Sequence, residues 1–498
     1  MTDGKWAARP SRGAGNRRLV RRAAALAVIA GAALGIGTVV ASGRTETPQP
    51  VAHSSASSLG TVLYGTLPPI GTPKKGGTIT QGQLTGQTPT WIFPIVPGAN
   101  TSTGTISFLT SLFMPLYAGP AGTIPKVNPG LSAANTPIFT DGDKTVTIPI
   151  KPGLKWSNGA PVVANDVVFW FDLLQAAIKE SPANWGQFSP GLIPQNVKSI
   201  STKGKYDVVM HLTQPYNPGF FLYNNLQDTD NVYPLPSTAW NVAATGGPHL
   251  TNWQNNPAVD KKIYDYLNKA GGAVATFATN PLWKVVDGPF KLGSFSASNS
   301  SYTLIPNPSY GGSPKPIMSE VQVQTFTSFT AELDAIRSGS VEIGVGIDPS
   351  QLAEAPALKS QGIDITLQTK TFNFLTSNYN DQNPAAAKYT NDWGVNNFGG
   401  INTDYYPTAE GVWNTGAGFN LGDYADPTAN SLMNASVHSG SVNAVKVETA
   451  YIQKNTPVWF MPDQDYLLAV NSTKVAGPPD GWMAMTQQQW FPQYWYVK

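Results

Sequence analysis

The chain has 498 residues, 41% of them apolar, 11% aromatic and only 12% charged, with 48 glycines and 42 prolines. That length supports about three domain-sized units, and the Gly and Pro content implies many turns and irregular connections. Residues 1–41 hold seven bases and one acid. Taking these from the 32 basic and 30 acidic side chains leaves 25 against 29, a net charge of −4. Only Arg44 and Arg337 remain as arginines, which excludes the basic stripe that nucleic-acid binding needs. The absence of cysteine excludes disulfides, thiolate chemistry, cysteine-ligated metals and a lipidated cysteine.

In chain order, an Arg-rich start over 9–22 precedes an apolar run from Ala23 to Ala41. This predicts a secretory signal, with Val39-Val40-Ala41 before the cut; the 19-residue run is also long enough for an uncleaved anchor. Residues 42–74, rich in Ser, Thr and Pro, read as a linker. Asp141-Gly142 predicts a hairpin turn, and Val146, Ile148 and Ile150 alternate with polar or proline positions as in a half-buried strand. Asn158-Gly159 predicts a second turn. Val167, Phe171, Leu174 and Ile178 then fall on one helical face, with Asn165 as the expected N-cap and Asp166 favouring the helix dipole. Val208, Met210 and Leu212 alternate as a further strand. Local physics alone describes an ordinary β-turn-α junction.

The same residues carry a resemblance. Lys151, Gly153, Lys155, Trp156, Ser157, Gly159, Pro161, Ala164, Asp166, Val167 and Phe169 stand in register with the signature "R-x-G-V-K-W-S-D-G-x-P-x-T-A-x-D-V-V-F", Lys151 falling where the family has a basic Arg. That signature is typical of the large solute-binding proteins of ABC importers, the oligopeptide, dipeptide and nickel-binding class (family 5). Asn158 replaces the usual Asp and Val163 the usual Thr. Lys75 to Gly82 (KGGTITQG) is similar to the family's opening strand, and Phe113 to Tyr117 (FMPLY) to its "L-F-E-P-L-Y". Asn280-Pro281, Asp287 to Leu292 (DGPFKL), Pro306 to Gly311 (PNPSYG), Leu333 to Gly344 (LDAIRSGSVEIG) and Asn420 to Pro427 (NLGDYADP) resemble further family segments. After Phe374 to Pro384, the helical segment that relatives carry next is missing, and the chain passes to Trp393 directly.

The resemblance implies an α/β, two-lobed periplasmic-binding-protein fold of the large three-domain variant with a shortened second lobe. It implies a discontinuous domain I (75–102, 230–312 and 463–498), an inserted domain II (103–229) and a second lobe over 313–462. It further implies a monomeric, extracytoplasmic, non-enzymatic protein that closes on its solute as a hinge and passes it to a membrane permease served by ATPase subunits.

Chemistry is sparse. The four histidines, His53, His211, His249 and His438, have no ligand spacing, and no nucleophile elbow or phosphate loop occurs; no metal or cofactor is expected. Gly344-Val345-Gly346 lacks the third glycine of a dinucleotide fingerprint and reads as turn chemistry. Asp423 and Asp426 would be the carboxylate pair of an alternative reading, a secreted carbohydrate-active enzyme; a degenerate, non-transporting relative is the other alternative. Aromatics in Gly-, Pro- and Asn-rich segments are the sharper signal. Trp91, Trp393, Tyr405, Tyr406 and Trp413 are the expected ligand-binding aromatics, with Phe93 and Trp185 in similar surroundings. Peptide-binding relatives pair the ligand amino group with an aspartate of a "D-x-x-D-P" run. Here that run reads Thr403-Asp404-Tyr405-Tyr406-Pro407, with Tyr406 at the carboxylate position and Asp404 as a neighbouring substitute. These residues imply a peptide-like or other small, neutral solute.

Overall fold

The computed structural model describes residues 74–118, 127–227, 232–346, 408–418, 420, 424–439, 441–455, 467–471, 473–476 and 492–498. The expected signal or anchor, the linker up to residue 73, and the site of the missing helical segment lie outside these residues. In chain order the elements used below are β1 (Thr78–Leu84), α1 (Thr103–Leu112), β2 (Ile138–Thr140), β3 (Thr145–Pro149), α2 (Ala164–Glu180), β4 (Val197–Lys203), β5 (Asp207–Leu212), α3 (Pro257–Gly271), β6 (Phe290–Phe295), β7 (Tyr302–Pro306), β8 (Glu320–Phe326), α4 (Phe329–Ser338), β9 (Ile343–Gly346), α5 (Glu410–Trp413), α6 (Pro427–His438), α7 (Val442–Asn455) and β10 (Leu467–Val470). None of the described helices is long and apolar enough to cross a membrane.

Two sheets organise this α/β body. The larger has the order β10-β9-β1-β8-β7-β6. In it β1 runs parallel to both β8 and β9, while β10-β9 and β6-β7-β8 pair antiparallel. Parallel neighbours need long crossovers, and Thr78 pairs with Glu320 across 242 positions. The smaller sheet, β2-β3-β5-β4, is antiparallel throughout. Val146 and Ile148 on β3 and Val208, Met210 and Leu212 on β5 turn inward, as the alternation predicts. The Asp141-Gly142 hairpin turn is present, with positive φ at Asp141, Gly142 and Asp143.

The family motifs interlock. Asp166 is 2% exposed, and its carboxylate accepts four hydrogen bonds: Val163 N and Trp156 Nε1 at 3.0 Å on Oδ2, and Ser237 N at 3.0 Å and Ser237 Oγ at 2.7 Å on Oδ1. Burial raises its pKa while those donors hold it down. The N-cap of α2 is therefore Val163, not Asn165, because the Asp166 side chain reaches back to the Val163 amide as in one half of a capping box. Ser157 Oγ donates to Lys284 O at 2.6 Å and accepts from Val286 N at 3.1 Å. Next in line, buried Asp287 accepts from Met114 N at 3.0 Å, and Asn307 Nδ2 donates to Gly288 O at 2.9 Å. A Cβ at Gly288 would lie 2.4 Å from the Leu112 carbonyl carbon, so only glycine allows this backbone approach.

The resemblance implies a second lobe that begins at residue 313, and β8 and β9, beyond that position, pair with β1 in the six-stranded sheet. Gly344-Val345-Gly346 is strand β9 rather than a turn. A Cβ at Gly344 would meet Ile336 Cδ1 at 2.1 Å, so the glycine lets α4 lie against the sheet. The turn itself falls at Gly339, whose φ of +74° ends α4.

One large hydrophobic core runs through both sheets. A separate small one, Ala429, Met433 and Ile452 with half-buried Trp413, Tyr424 and Tyr451, holds α5, α6 and α7 together.

Candidate functional site

The 408–439 block meets the body along a seam formed by residues 185–227. At one end, the α2 helix gives way to Trp185, which packs edge-on against Trp170 at 6.0 Å. Gly186 N then donates to Val96 O at 2.9 Å, and Gly418 N donates to Phe188 O at 2.7 Å. A Cβ on Gly418 would sit 2.1 Å from Gly186 O, so the two backbones meet directly. Ser189 Oγ donates to Glu410 O at 3.4 Å and accepts from Asn414 Nδ2 at 3.2 Å. The indole Nε1 of Trp185 and the amide Nε2 of Gln187 are buried donors without an acceptor among the described residues.

At the other end, Asn217 N donates to Val437 O at 3.1 Å and its Nδ2 to Ser439 O at 3.0 Å. The His438 ring stands 4.2 Å from the Tyr216 ring, with Nδ1 2.7 Å from Pro215 O and Nε2 2.8 Å from Gln214 Nε2. Only a ring with a hydrogen on Nδ1 and a lone pair on Nε2 satisfies both neighbours. Burial pushes the His438 pKa down, partly opposed by the Pro215 carbonyl.

Between the ends, a π-helical turn over Phe221–Leu226 presents Asn224. Such turns accumulate at functional positions. Asn224 Nδ2 lies 3.2 Å from Thr408 Oγ1 and 3.1 Å from Glu410 Oε1, and Thr408 Oγ1 donates to Glu410 Oε2. Behind Glu410 stands Glu448 of α7, 1% exposed, its pKa pushed up to about 8 by burial and by the Glu410 carboxylate. Among the described residues, no group of three or more His, Cys, Asp or Glu side chains could hold a metal ion.

Of the sequence-predicted site residues, Trp393, Asp404, Tyr405 and Tyr406 lie outside the described residues. Trp413 is half-buried on α5, edge-on to Tyr424 at 6.0 Å, within the small core behind the seam. Trp91 is placed in the large core, 7% exposed. Its Nε1 donates to Ile95 O at 3.1 Å, and its ring lies under Gly271 and Gly272, where a Cβ would approach it to 3.1 and 2.9 Å. Phe93 is likewise fully buried. Asp426 caps α6 through Thr428 N and Ala429 N and accepts from Tyr451 at 2.9 Å, which occupies the carboxylate offered to a glycosidase. Sequence reasoning missed Ser189, Asn224, Glu410 and Glu448. Nothing local marks them, since they meet across 184–225 positions or through burial alone.

The sequence profile described as bacterial extracellular solute-binding proteins, family 5 Middle, matches residues 127–397, more than half of the chain. A curated relative, "Oligopeptide-binding protein AppA" of Bacillus subtilis (strain 168), is 29% identical over 164 residues. That stretch is 33% of this chain and 27% of the relative. Among solved structures, AppA from Bacillus subtilis in complex with a nonapeptide superposes with a TM-score of 0.60 at 14% identity, covering 86% of this chain and 100% of that one. The ABC transporter substrate-binding protein CtaP of Listeria monocytogenes gives 0.55 at 14% identity, over 85% and 100%. Haemophilus influenzae OppA in complex with RPPGFSPFR gives 0.52 at 13% identity, over 86% and 100%. At these identities the superpositions speak for the fold.

Proposed function

Because the chain belongs to the bacterial extracellular solute-binding proteins of family 5 and has their α/β periplasmic-binding-protein fold, we propose that it captures a peptide-like or other small neutral solute outside the cytoplasmic membrane and delivers it to an ABC permease. The observation that carries this reading is the family match over 127–397, on a body in which the 408–439 block closes against 185–227. Two similar solved proteins hold peptides, a nonapeptide and RPPGFSPFR. The buried, unpaired donors Trp185 Nε1 and Gln187 Nε2 suit carbonyl oxygens, the acceptors that a peptide backbone supplies in series.

The neutral character rests on this chain's own residues. Arg44 and Arg337 are its only arginines after residue 41, and Arg337 pairs with Asp334 at 3.2 Å on α4. In this reading Trp393, Tyr405 and Tyr406 supply stacking surface and Asp404 one carboxylate, while Trp413 serves the small core. A thermal-shift screen of the purified protein against peptides, oligosaccharides and amino-acid derivatives tests the proposal, since a ligand that binds the native state raises the midpoint. Stabilisation by uncharged or end-blocked peptides is expected. Glycoside hydrolysis by the purified protein, with no peptide raising the midpoint, would favour the carbohydrate-active reading instead.

A further inference from the structure

We propose that Tyr216 is a positioning residue that makes the two ends of the seam open and close as one. Its ring bears on the 437–439 end, and its hydroxyl holds the turn on which the 410–418 end docks. The inference involves no ligand contact and stands whatever the solute is.

The turn is Ser189-Pro190-Gly191-Leu192, closed by Leu192 N donating to Ser189 O at 3.1 Å. Proline in second place and a glycine in third, at φ of +83°, are what a type II turn calls for. Gly191 N is tied further to Gln195 Oε1 at 2.7 Å. These bonds make the turn one stiff unit. On one side it meets the block: Ser189 Oγ bonds Glu410 O and Asn414 Nδ2, and the same Asn414 amide lies 3.4 Å from Pro190 O. On the other side Gly191 O accepts from the Tyr216 hydroxyl at 3.1 Å.

Tyr216 carries the contact across. It is 2% exposed; its ring stands 4.2 Å from that of His438 and is backed by Phe220 and Phe221 at 6.2 and 6.1 Å. An aromatic ring and its hydroxyl form one rigid plate, so displacing the face that meets His438 displaces the oxygen that holds Gly191. A chain of hydrogen bonds runs beside the ring. Gln214 Nε2 lies 2.8 Å from His438 Nε2 and donates to Tyr216 OH at 3.4 Å, and that hydroxyl donates onward to Gly191 O. Inside the block, by contrast, α5 and α6 share a core of three buried apolar residues and the pairing of Asn430 with Thr415. The stiffer route between the two ends therefore passes through the body, by packed rings and a bonded turn. Along that route the seam shuts over its whole length in one step.

Two amides report the two ends, each bonded straight across the seam: Gly418 N to Phe188 O and Asn217 N to Val437 O. The test is hydrogen exchange resolved to single amides on the full chain without ligand, with intrinsic rates divided out and α2 as the reference for intact folding. His438→Ala cuts one end and Asn414→Ala the other. With Tyr216 in place, each should lower protection of the far reporter by about fivefold or more, and the effect should be reciprocal. Tyr216→Phe keeps the ring and removes the hydroxyl. In that background the near reporter should still fall, while the far one stays within about twofold. Equal far losses with and without the hydroxyl would send the coupling through the block and overturn the role of Tyr216. Far reporters that ignore both cuts in the wild-type background would make the ends independent and overturn it as well. Either failure leaves the binding of a peptide-like solute untouched, since no ligand enters the measurement.

Discussion

Trp156 and Asp166, ten positions apart in sequence, are joined by a 3.0 Å hydrogen bond from the indole Nε1 to the carboxylate Oδ2. The same carboxylate caps α2 and holds Ser237, so the most family-like stretch of the chain is a fold clamp. Its tryptophan is 1% exposed and offers nothing to a solute. The motif marks the family because it builds the scaffold on which the seam is mounted.

Asp166→Ala strands three N–H donors and one hydroxyl in the core. It should cost on the order of 3 kcal/mol of stability, because unsatisfied buried donors carry most of their desolvation penalty. Asp166→Asn keeps part of the acceptor set and should cost less. Urea unfolding followed by tryptophan fluorescence would rank them, and equal losses for the two variants would contradict the clamp.

Gly288→Ala should destabilise by about 1–3 kcal/mol or more, since its Cβ meets backbone rather than a movable side chain. Gly142→Ala provides the contrast: a Cβ there meets nothing within 4 Å, although φ is +58°. Its cost should be about 1 kcal/mol, the backbone penalty alone. Chemical denaturation of both variants checks the ordering.

Asp172 and Asp260 face each other between α2 and α3, 8% and 4% exposed, with pKa values pushed up by burial to about 6 and about 7. The native state binds protons here that the unfolded chain, with ordinary values of 3.8, releases. Stability from this pair is therefore present below about pH 4 and is lost as pH rises through about 7. Asp260→Asn should raise stability at pH 8 by about 2 kcal/mol and leave it unchanged near pH 4. Thermal melts at the two pH values would show it.

The helices α5, α6 and α7 rest on a core of three buried apolar residues, against the continuous core around α2. Amide protection over 408–455 should be weaker than over 164–180. Equal protection in native-state hydrogen exchange would mean that the seam bonds, with Val437 of α6 in the large core, hold the block as firmly as α2 is held.

Trp393→Ala and Tyr406→Ala should each weaken ligand binding by on the order of 1–3 kcal/mol through lost aromatic burial, with little change in affinity on raising salt. Trp91→Ala should instead cost folding stability, because its ring supports Gly271 and Gly272. Calorimetric titration alongside melting curves separates the two behaviours.

Much of the scaffold was legible because its signals are local. The Asp141-Gly142 turn, the inward alternation on β3 and β5, and the apolar face of α2 each need only a few neighbouring residues. Strand β9 was not legible: Gly344-Val345-Gly346 has turn composition and becomes a strand because β1 and β10 flank it. Trp91 was misleading for a related reason, since a Pro-rich surrounding marks irregular backbone and says nothing of burial. The seam is the least legible part. Asn224 and Glu410 are ordinary polar residues until the chain brings them within 3.1 Å.

The wiring of the large sheet also sets a timetable. Strand β1 has no sheet partner until β8 has been made, 242 residues later, which at about 5–20 residues per second takes about 12–50 s of synthesis. Through that interval the early strand stays unpaired, and the sheet cannot close ahead of its own C-terminal half. Late closure leaves β1 exposed to wrong pairing until β9 and β8 flank it on both sides.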